Sequence, residues 1–510
     1  MRSTKSAILP SYVRRANSDL MKLLSKVKVD PIPHFRHRSS EKPTFDFLSR
    51  MNGLDPLEDP DPLSTDGIAD NLDYDILMAA GCFTLPPEGL CWELIKMFFQ
   101  EVYPLAPIVV KEKFMFEYKN LAKGPSIMLV HAILYAGAFS ASGTQATTSL
   151  THDEAFEASN VFYKRAHLLL DMGFDAYNVI PLMQTLLVFC AIPNGHVGRE
   201  STSHLKQAII TCCSLGLHLD QSANKFLTDY EKYMYRLIWL QLFIGEHARG
   251  MVASYDIMLL RSGCTVKMFT REEMYSLSPL QREYFLYIYN LSLVIEKIIG
   301  YTEIGTYNLR TGRPVIPVSE EGNRLLNEFY ATLPSELKYT LDNPASHSGW
   351  SAVIGITYYM SILSVNRYTS VCSIRASPFQ VMPPDFLTSW EITHTASWSA
   401  FQIYQNERNR IGIRCSLLPL ALLAYQAAIT MTYHFRNTDP GVVSKAHEVV
   451  NGVRDVLYEF SSRCLMAKVM YHLLTRIQEN ESNQLIMLYK ALELDFEEVS
   501  GVMERLNTFT

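Results

Sequence analysis

Residues 228–247, TDYEKYMYRLIWLQLFIGEH, are the stretch that determines how the rest of the chain is interpreted. Thr228 and Glu231 have the spacing of a capping box, in which two side chains satisfy free backbone N–H groups where a helix begins. Apolar residues then recur at helical spacing, and two aromatic residues fill the neighbouring face: Tyr233, Leu237, Leu240 and Ile244, then Trp239 and Phe243. A helix this apolar must be covered by neighbours on most of its surface. The stretch therefore predicts the centre of a large helical core.

The same helical periodicity recurs after Gly81. Apolar stripes run through 90–102 and 284–298, and the second is expected to end at Gly300. Further helices are predicted at 126–140, 154–172, 180–190, 204–216, 320–333, 350–368, 390–410, 417–434, 442–476 and 482–506. The best strand-like alternation is the short segment 314–317. These patterns predict an all-α fold, with one large helical-bundle domain from about residue 81 to 510.

Composition excludes several classes of protein. The chain has 510 residues, of which 48% are hydrophobic and 19% charged, and this balance is the opposite of that of a disordered chain. The net charge of −6 gives no overall basic field, so any contact with nucleic acid must be local. No signal peptide is apparent, and the most apolar stretch, 417–433, contains Pro419 and Gln426. We therefore expect no membrane partner.

The first eighty residues differ from the rest. Residues 1–40 form a basic arm with nine Lys and Arg against two Asp, and residues 41–80 form an acidic, Pro-rich linker. Neither segment has enough apolar surface to fold alone, so a disordered arm is predicted. Its cations are candidates for weak DNA phosphate contacts or for nuclear import: Arg14, Arg15, Lys26, Lys28, Arg36 and Arg38. A solvated tail is the plainer alternative, and a short amphipathic helix at 18–29 could support a homodimer.

The cysteine pattern bears on metal binding. None of the nine cysteines precedes Cys82, and none forms a Cys-x-x-Cys pair. Because a small zinc module folds only with its thiolate ligands, the sequence predicts no zinc and no other cofactor. Buried, reduced thiols of an intracellular protein are the expected state.

Three ordered segments resemble the middle homology region of the fungal zinc-cluster transcription factors. The first comprises LPP at 85–87, FFQEVYP at 98–104 and APIV at 106–109. The second is SLGLHLD at 214–220, and the third is RLIWLQLFI at 236–244. A weaker similarity follows at 362–367, ILSVNR, and the region around Asp256 resembles the cutinase-regulator subgroup.

The resemblance implies an all-α regulatory domain, with the middle homology region at 81–275 and a C-terminal helical part of the same domain at 276–510. The family usually has Asp-Arg after the third segment, whereas this chain has Glu246 and His247, so a permanent cation is replaced by a titratable imidazole. The family also reads DNA through a six-cysteine, two-zinc module, and residues 1–81 offer no cysteine for one.

The helix at 228–247 carries the other candidate site residues. Arg236, Trp239, Phe243, Glu246 and His247 are candidates for a regulatory pocket or for pairing between helices. For Glu246 and His247 we favour structural ion-pair partners. The two consecutive cysteines, 212 and 213, cannot both line one site, and His218 after Gly216 is expected at a helix C-terminus.

Two functions are consistent with the sequence. The favoured one is a nuclear transcription regulator of a metabolic or secondary-metabolite gene set, acting with other transcription factors or co-regulators or responding to a small-molecule effector. The alternative is an all-α enzyme of secondary metabolism with a buried apolar pocket. No nucleophile elbow, phosphate loop or metalloprotease motif occurs, and Pro56, Pro60 and Pro62 break the helix that an aspartate-rich cyclase site near 55–66 would need. An enzyme requires convergent titratable groups in the pocket, whereas an effector site requires mainly apolar walls.

Overall fold

The computed structural model describes most of the chain after residue 67. The described residues are 50–51, 68–119, 124–143, 148–175, 178–192, 201–253, 257–310, 318–376, 384–411, 418–435, 437 and 439–479. Several features of the sequence analysis lie outside these residues: the six cations of the basic arm, the segment 314–317, Asp256 and the helix predicted at 482–506.

Fifteen α-helices and two short 3₁₀ turns make up the regular structure of the described part, and none of its residues is in a strand. The helices are α1 Ile68–Ala79, α2 Glu88–Glu101, α3 Lys111–Lys119, α4 Ile127–Ala141, α5 His152–Asp171, α6 Val179–Ala191, α7 Ser201–Ser214, α8 Asp229–Ala253, α9 Pro279–Arg310, α10 Val318–Thr332, α11 Gly349–Ala376, α12 Pro384–Ile411, α13 Leu418–Thr432, α14 Pro440–Phe460 and α15 Leu465–Glu479. The all-α prediction is confirmed.

Helix α8 joins the two halves of the bundle. In the N-terminal half, α4 packs against α2, α5 and α6, and all fifteen of its residues are buried. In the C-terminal half, α11 packs against α9, α10, α12 and α13. Helix α8 contacts α6 and α7 on one side and α9 and α11 on the other. The apolar stretch that the sequence places at the centre of the core thus lies between the two halves.

Two local predictions at helix ends are confirmed by the hydrogen bonds. The Glu231 carboxylate accepts from the Thr228 backbone N–H (2.8 Å), and the Glu231 N–H donates to the Thr228 hydroxyl (3.2 Å), which is a capping box. Gly216 has a φ of 75°, and the Leu217 N–H donates to the Cys212 carbonyl (3.0 Å). This geometry ends α7 as a glycine C-cap.

The structure corrects two predicted helix boundaries. Helix α9 does not end at Gly300 but continues to Arg310. A glycine costs only about 1 kcal/mol inside a helix, which packing of the flanking turns can offset. The single helix predicted at 442–476 is two helices, because 461–464 forms a turn. Two consecutive serines begin this turn, and their hydroxyls compete for backbone hydrogen bonds.

The folded part also extends further towards the N-terminus than the sequence predicts. Helix α1 lies within the segment expected to be a linker, and its Leu77 is buried in the core. Arg50 donates to the Glu231 carboxylate (2.8 Å), and its own carbonyl accepts from the Asn224 side chain (2.6 Å). The sequence pattern missed α1 because its apolar residues are surrounded by Asp, and it missed α3 because that helix buries only Phe114 and Tyr118.

Candidate functional site

A cavity of about 440 Å³ lies at the junction of the two halves of the bundle. Its wall is formed by residues of α2, α4, α6, α7, α8, α9, α11, α13 and α15 and of the loop after α2. Most of these residues are apolar: Val102, Leu105, Ile108, Phe139, Leu187, Ile192, Leu205, Ile244, Ile288, Val353, Leu420, Leu423, Met466 and Met470. A volume of this size with apolar walls is typical of pockets that bind small organic molecules.

Helix α8 supplies the main polar groups of the wall, Gln241 and Arg249. One Arg249 nitrogen donates to the Cys190 carbonyl (2.5 Å) and another to the Gly245 carbonyl (3.3 Å). The Gln241 amide nitrogen is buried and donates to no acceptor among the described residues. A buried amide without an acceptor is unfavourable by about 1–3 kcal/mol, so a ligand that supplied an acceptor there would bind more tightly.

Two of the other polar lining residues have hydrogen-bond partners within the protein. Gln426 accepts from the Arg367 guanidinium (3.1 Å), and the Thr357 hydroxyl donates to the Val353 carbonyl (2.8 Å). Arg367 is partly buried, and burial lowers its pKa from the usual arginine value. Gln426 therefore links the cavity wall to a partly buried cation that does not itself line the cavity.

The titratable groups of the wall do not form a catalytic set. Burial raises the pKa of the Cys190 thiol to about 12 and raises the pKa of the Tyr284 phenol above its usual value, so both are protonated near neutral pH. Glu101 lies at the end of α2, and Arg249 is bound to backbone carbonyls. Among the described lining residues there is no base paired with a nucleophile, which an acid–base or nucleophilic enzyme requires.

The structure places Arg236, a residue predicted for a regulatory pocket, on the outside of α8. Its guanidinium forms a two-pronged ion pair with Glu273 (2.9 and 3.1 Å) and lies 4.1 Å from the centre of the Phe269 ring. The hydrogen bonds from Arg236 lower the pKa of Glu273 to about 2. Arg236 thus fastens the loop before α9 to α8.

Trp239, Phe243 and His247 form a buried aromatic column on α8. The Trp239 and Phe243 ring centres are 5.2 Å apart, and those of Phe243 and His247 are 4.1 Å apart. The His247 Nδ1 lies 2.8 Å from the Phe243 carbonyl, and burial lowers the pKa of the imidazole. His247 is therefore neutral at physiological pH, and the cation expected at this position of the family pattern is absent.

Glu246 is fully buried and connects three segments. Its carboxylate accepts from Lys206 Nζ on α7 (3.1 Å) and from the backbone N–H groups of Met258 (2.9 Å) and Leu259 (2.7 Å). It therefore pairs α8 with α7 and holds the chain that follows α8.

None of the five residues predicted on α8 lines the cavity. The residues of α8 that do so are Gln241, Ile244, Gly245, Ala248 and Arg249. Their spacing of three and four positions places them on one face of the helix, but none of them is among the residues predicted from the sequence. One signal could have identified a cavity wall. The small residues Gly245 and Ala248 share a helix face with the polar residues Gln241 and Arg249, and small residues there leave space.

The described residues also limit other kinds of site. They contain no cluster of three or more His, Cys, Asp or Glu side chains able to hold a metal ion. Within the same part of the chain, no helix is both long and apolar enough to cross a membrane.

Comparison with known proteins gives one match to a protein-family model. Residues 95–259 match the fungal specific transcription factor domain. The match covers the cavity-lining faces of α6, α7 and α8, whereas α9, α11, α13 and α15 lie beyond it.

The relatives that the chain matches are named as regulators of transcription or of an enzyme, and none of the three below is named as an enzyme. The chain is 22% identical to the cutinase transcription factor 1 alpha of Fusarium vanettenii over 81% of its own length and 45% of that protein. It is 23% identical to the acetamidase regulatory protein of Aspergillus oryzae, over 56% of this chain and 35% of that one. It is 22% identical to a fusaric acid cluster transcription factor of Gibberella fujikuroi, over 46% and 33%.

The chain thus spans less than half the length of each of these relatives. No solved structure matches it significantly.

Proposed function

We propose that this protein is a transcription regulator that controls a metabolic gene set and responds to a small, mainly apolar effector bound in the central cavity. The observation that carries the proposal is the position of the cavity, which is lined jointly by the matched domain and by the C-terminal helices. The names of three relatives, which concern cutinase, acetamidase and fusaric acid, support a metabolic gene set.

The mechanism follows from what a ligand at this junction can do. A ligand shifts a conformational equilibrium only by its difference in affinity for the two states. Since the cavity wall is drawn from both halves of the bundle, an effector that fills it favours the arrangement in which the halves are closed on it. That arrangement would then present the surface that partner transcription factors or co-regulators bind.

A reporter assay tests the regulatory role. The full chain is fused to a well-characterised DNA-binding domain in a fungal host, and transcription from the corresponding promoter is measured. We expect the fusion to change reporter output relative to the DNA-binding domain alone. An unchanged output from a folded, nuclear fusion would contradict the proposal.

The variant Ala248→Leu tests the effector role. It fills part of the cavity with a larger apolar side chain and leaves the charge of the protein unchanged. We expect it to uncouple the reporter from the metabolic state of the host while leaving a constitutive output.

The proposed location is the nucleus, and the basic arm is proposed to contribute to import. Replacing Arg14, Arg15, Lys26 and Lys28 by Gln tests this in a fluorescent fusion. Reduced nuclear accumulation is expected, and unchanged accumulation would remove the arm from the import mechanism. The same variant tests phosphate contact. If the arm contacts DNA phosphates, the wild-type protein should bind DNA weakly and lose affinity steeply as salt is added, and the variant should bind more weakly still.

We also propose that the chain acts without bound zinc. The support is the absence of cysteine before Cys82 in the sequence and the absence of a ligand cluster among the described residues. Metal analysis of the purified protein should give far less than one zinc ion per chain, and a stoichiometric value would contradict this proposal.

A further inference from the structure

The charges around the cavity are unbalanced. Arg249 lines it, and Arg367 lies directly behind the lining residue Gln426. The partners of both guanidinium groups are neutral: backbone carbonyls for Arg249 and the Gln426 amide oxygen for Arg367. Neither forms an ion pair with a carboxylate among the described residues. Against these two cations, the described lining residues include one carboxylate, that of Glu101, the last residue of α2.

A partly buried cation that has only neutral partners is poorly compensated, because a protein interior screens charge less than water does. An anion that reached Arg249 would improve this balance and would be bound by charge-assisted hydrogen bonds. The unpaired Gln241 amide lies on the same face of α8, two turns before Arg249, and can donate to the same molecule.

We infer that the cavity binds an apolar molecule that carries one carboxylate, with the carboxylate held by Arg249 and Gln241 and the apolar body on the Leu, Ile, Val and Met side chains of the wall. This assignment deepens the proposed function and rests on it for its biological meaning. The binding itself can be measured on the purified protein without any transcription assay.

Three small probes with the same ten-carbon skeleton separate the charge preferences: phenylbutanoate, phenylbutanol and phenylbutylamine. Titration calorimetry with the full chain should give binding of phenylbutanoate at least roughly tenfold tighter than that of phenylbutanol. Phenylbutylamine should bind most weakly, because its ammonium group would face Arg249. Equal affinity for the acid and the alcohol, or a preference for the amine, would overturn the assignment, and so would no binding of any probe.

The variants assign the binding to the named side chains. Arg249→Gln should lower the affinity for phenylbutanoate to that for phenylbutanol. The affinity for phenylbutanol should not change. Arg324→Gln removes the same charge from an exposed site on α10, where the arginine pairs with Glu321 and Glu328, and should have no effect. A loss of acid preference in Arg324→Gln would show that only general electrostatics is involved.

Gln241→Leu keeps the test decisive if Arg249→Gln does not fold, since Arg249 also ties α8 to α6. The Gln241 amide nitrogen has no acceptor in the described structure, so leucine should be tolerated. It should weaken phenylbutanoate binding several-fold and strengthen phenylbutanol binding. Unchanged affinities in a folded Gln241→Leu protein would overturn the role of Gln241. If the acid binds as expected but the reporter assay fails, the binding assignment stands and the regulatory proposal alone is wrong.

Discussion

At the scale of single residues, Gly137 determines how closely two helices approach. A Cβ placed on Gly137 in α4 would overlap the Leu94 carbonyl oxygen of α2, so the two backbones are in direct contact. Gly137→Ala should therefore destabilise the protein by about 1–3 kcal/mol, because α2 must move away. Gly89→Ala is the matched control, since nothing lies near its Cβ position. Urea unfolding of both variants measures the difference, and equal stabilities would contradict the close approach.

His434 gives the protein a residue-scale dependence on pH. It follows α13, lies against Trp390 and His394 of α12, and forms no hydrogen bond through either ring nitrogen among the described residues. Burial and the neighbouring His394 lower its pKa to about 3, and burial likewise lowers the pKa of His131 in α4 to about 3.

Between pH 6.5 and 3 the unfolded chain therefore binds protons at these two positions that the folded chain does not. Stability is greatest above pH 6.5 and falls as the pH decreases, by up to about 1.4 kcal/mol per pH unit for each histidine. We expect His434→Leu to be as stable as the wild type at pH 7 and more stable by about 1 kcal/mol at pH 5.5. Thermal unfolding across this range tests it, and parallel curves for the two proteins would show that His434 does not titrate on unfolding.

At the scale of elements, the buried Glu246 carboxylate joins α7, α8 and the chain after α8. Glu246→Gln should cost about 2–4 kcal/mol, because Lys206 loses this counter-charge and one of the two backbone N–H groups faces an amide NH2 donor instead of an acceptor. The exposed pair of Arg271 and Glu283 provides the control, and Glu283→Gln should cost under about 1 kcal/mol. Hydrogen exchange at Met258 and Leu259 should increase in Glu246→Gln only.

Periodicity predicted most of these elements but not all. It located α4 to α8 and the long C-terminal helices, because each presents an apolar face that the sequence records directly. It missed the turn between α14 and α15, where the apolar spacing of the two helices is nearly continuous and only two serines mark the break. It missed α1 because that helix folds only by docking on the rest of the core, which is a tertiary effect.

The cavity could not be predicted from spacing. Its wall combines residues from nine helices, and their proximity depends on how those helices pack. The five residues predicted on α8 instead have three separate roles. Arg236 forms an ion pair on the outside of the helix, Trp239, Phe243 and His247 form the buried aromatic column, and Glu246 joins α8 to α7 and to the chain after α8. Charge and aromatic character made those residues conspicuous, whereas the small residues Gly245 and Ala248 that create the space are not.

At the scale of the whole molecule, the two halves of the bundle depend on each other for burial. A fragment ending at residue 259, where the family match ends, would lose α9 and α11 and expose the apolar surface that α8 buries against them. Such a fragment should be aggregation-prone and cleaved rapidly by a protease, in contrast to the full chain. Protection from limited proteolysis equal to that of the full chain would show that the N-terminal half folds alone.

The division of the cavity wall also bears on how such regulators can diversify. The contact of Glu246 with the loop after α8 lies within the matched segment, and Gly137 lies within it while its partner Leu94 directly precedes it. A large share of the lining, from α9, α11, α13 and α15, lies outside it. Substitutions in those four helices can therefore reshape the cavity, and with it the proposed effector preference, without changing these contacts.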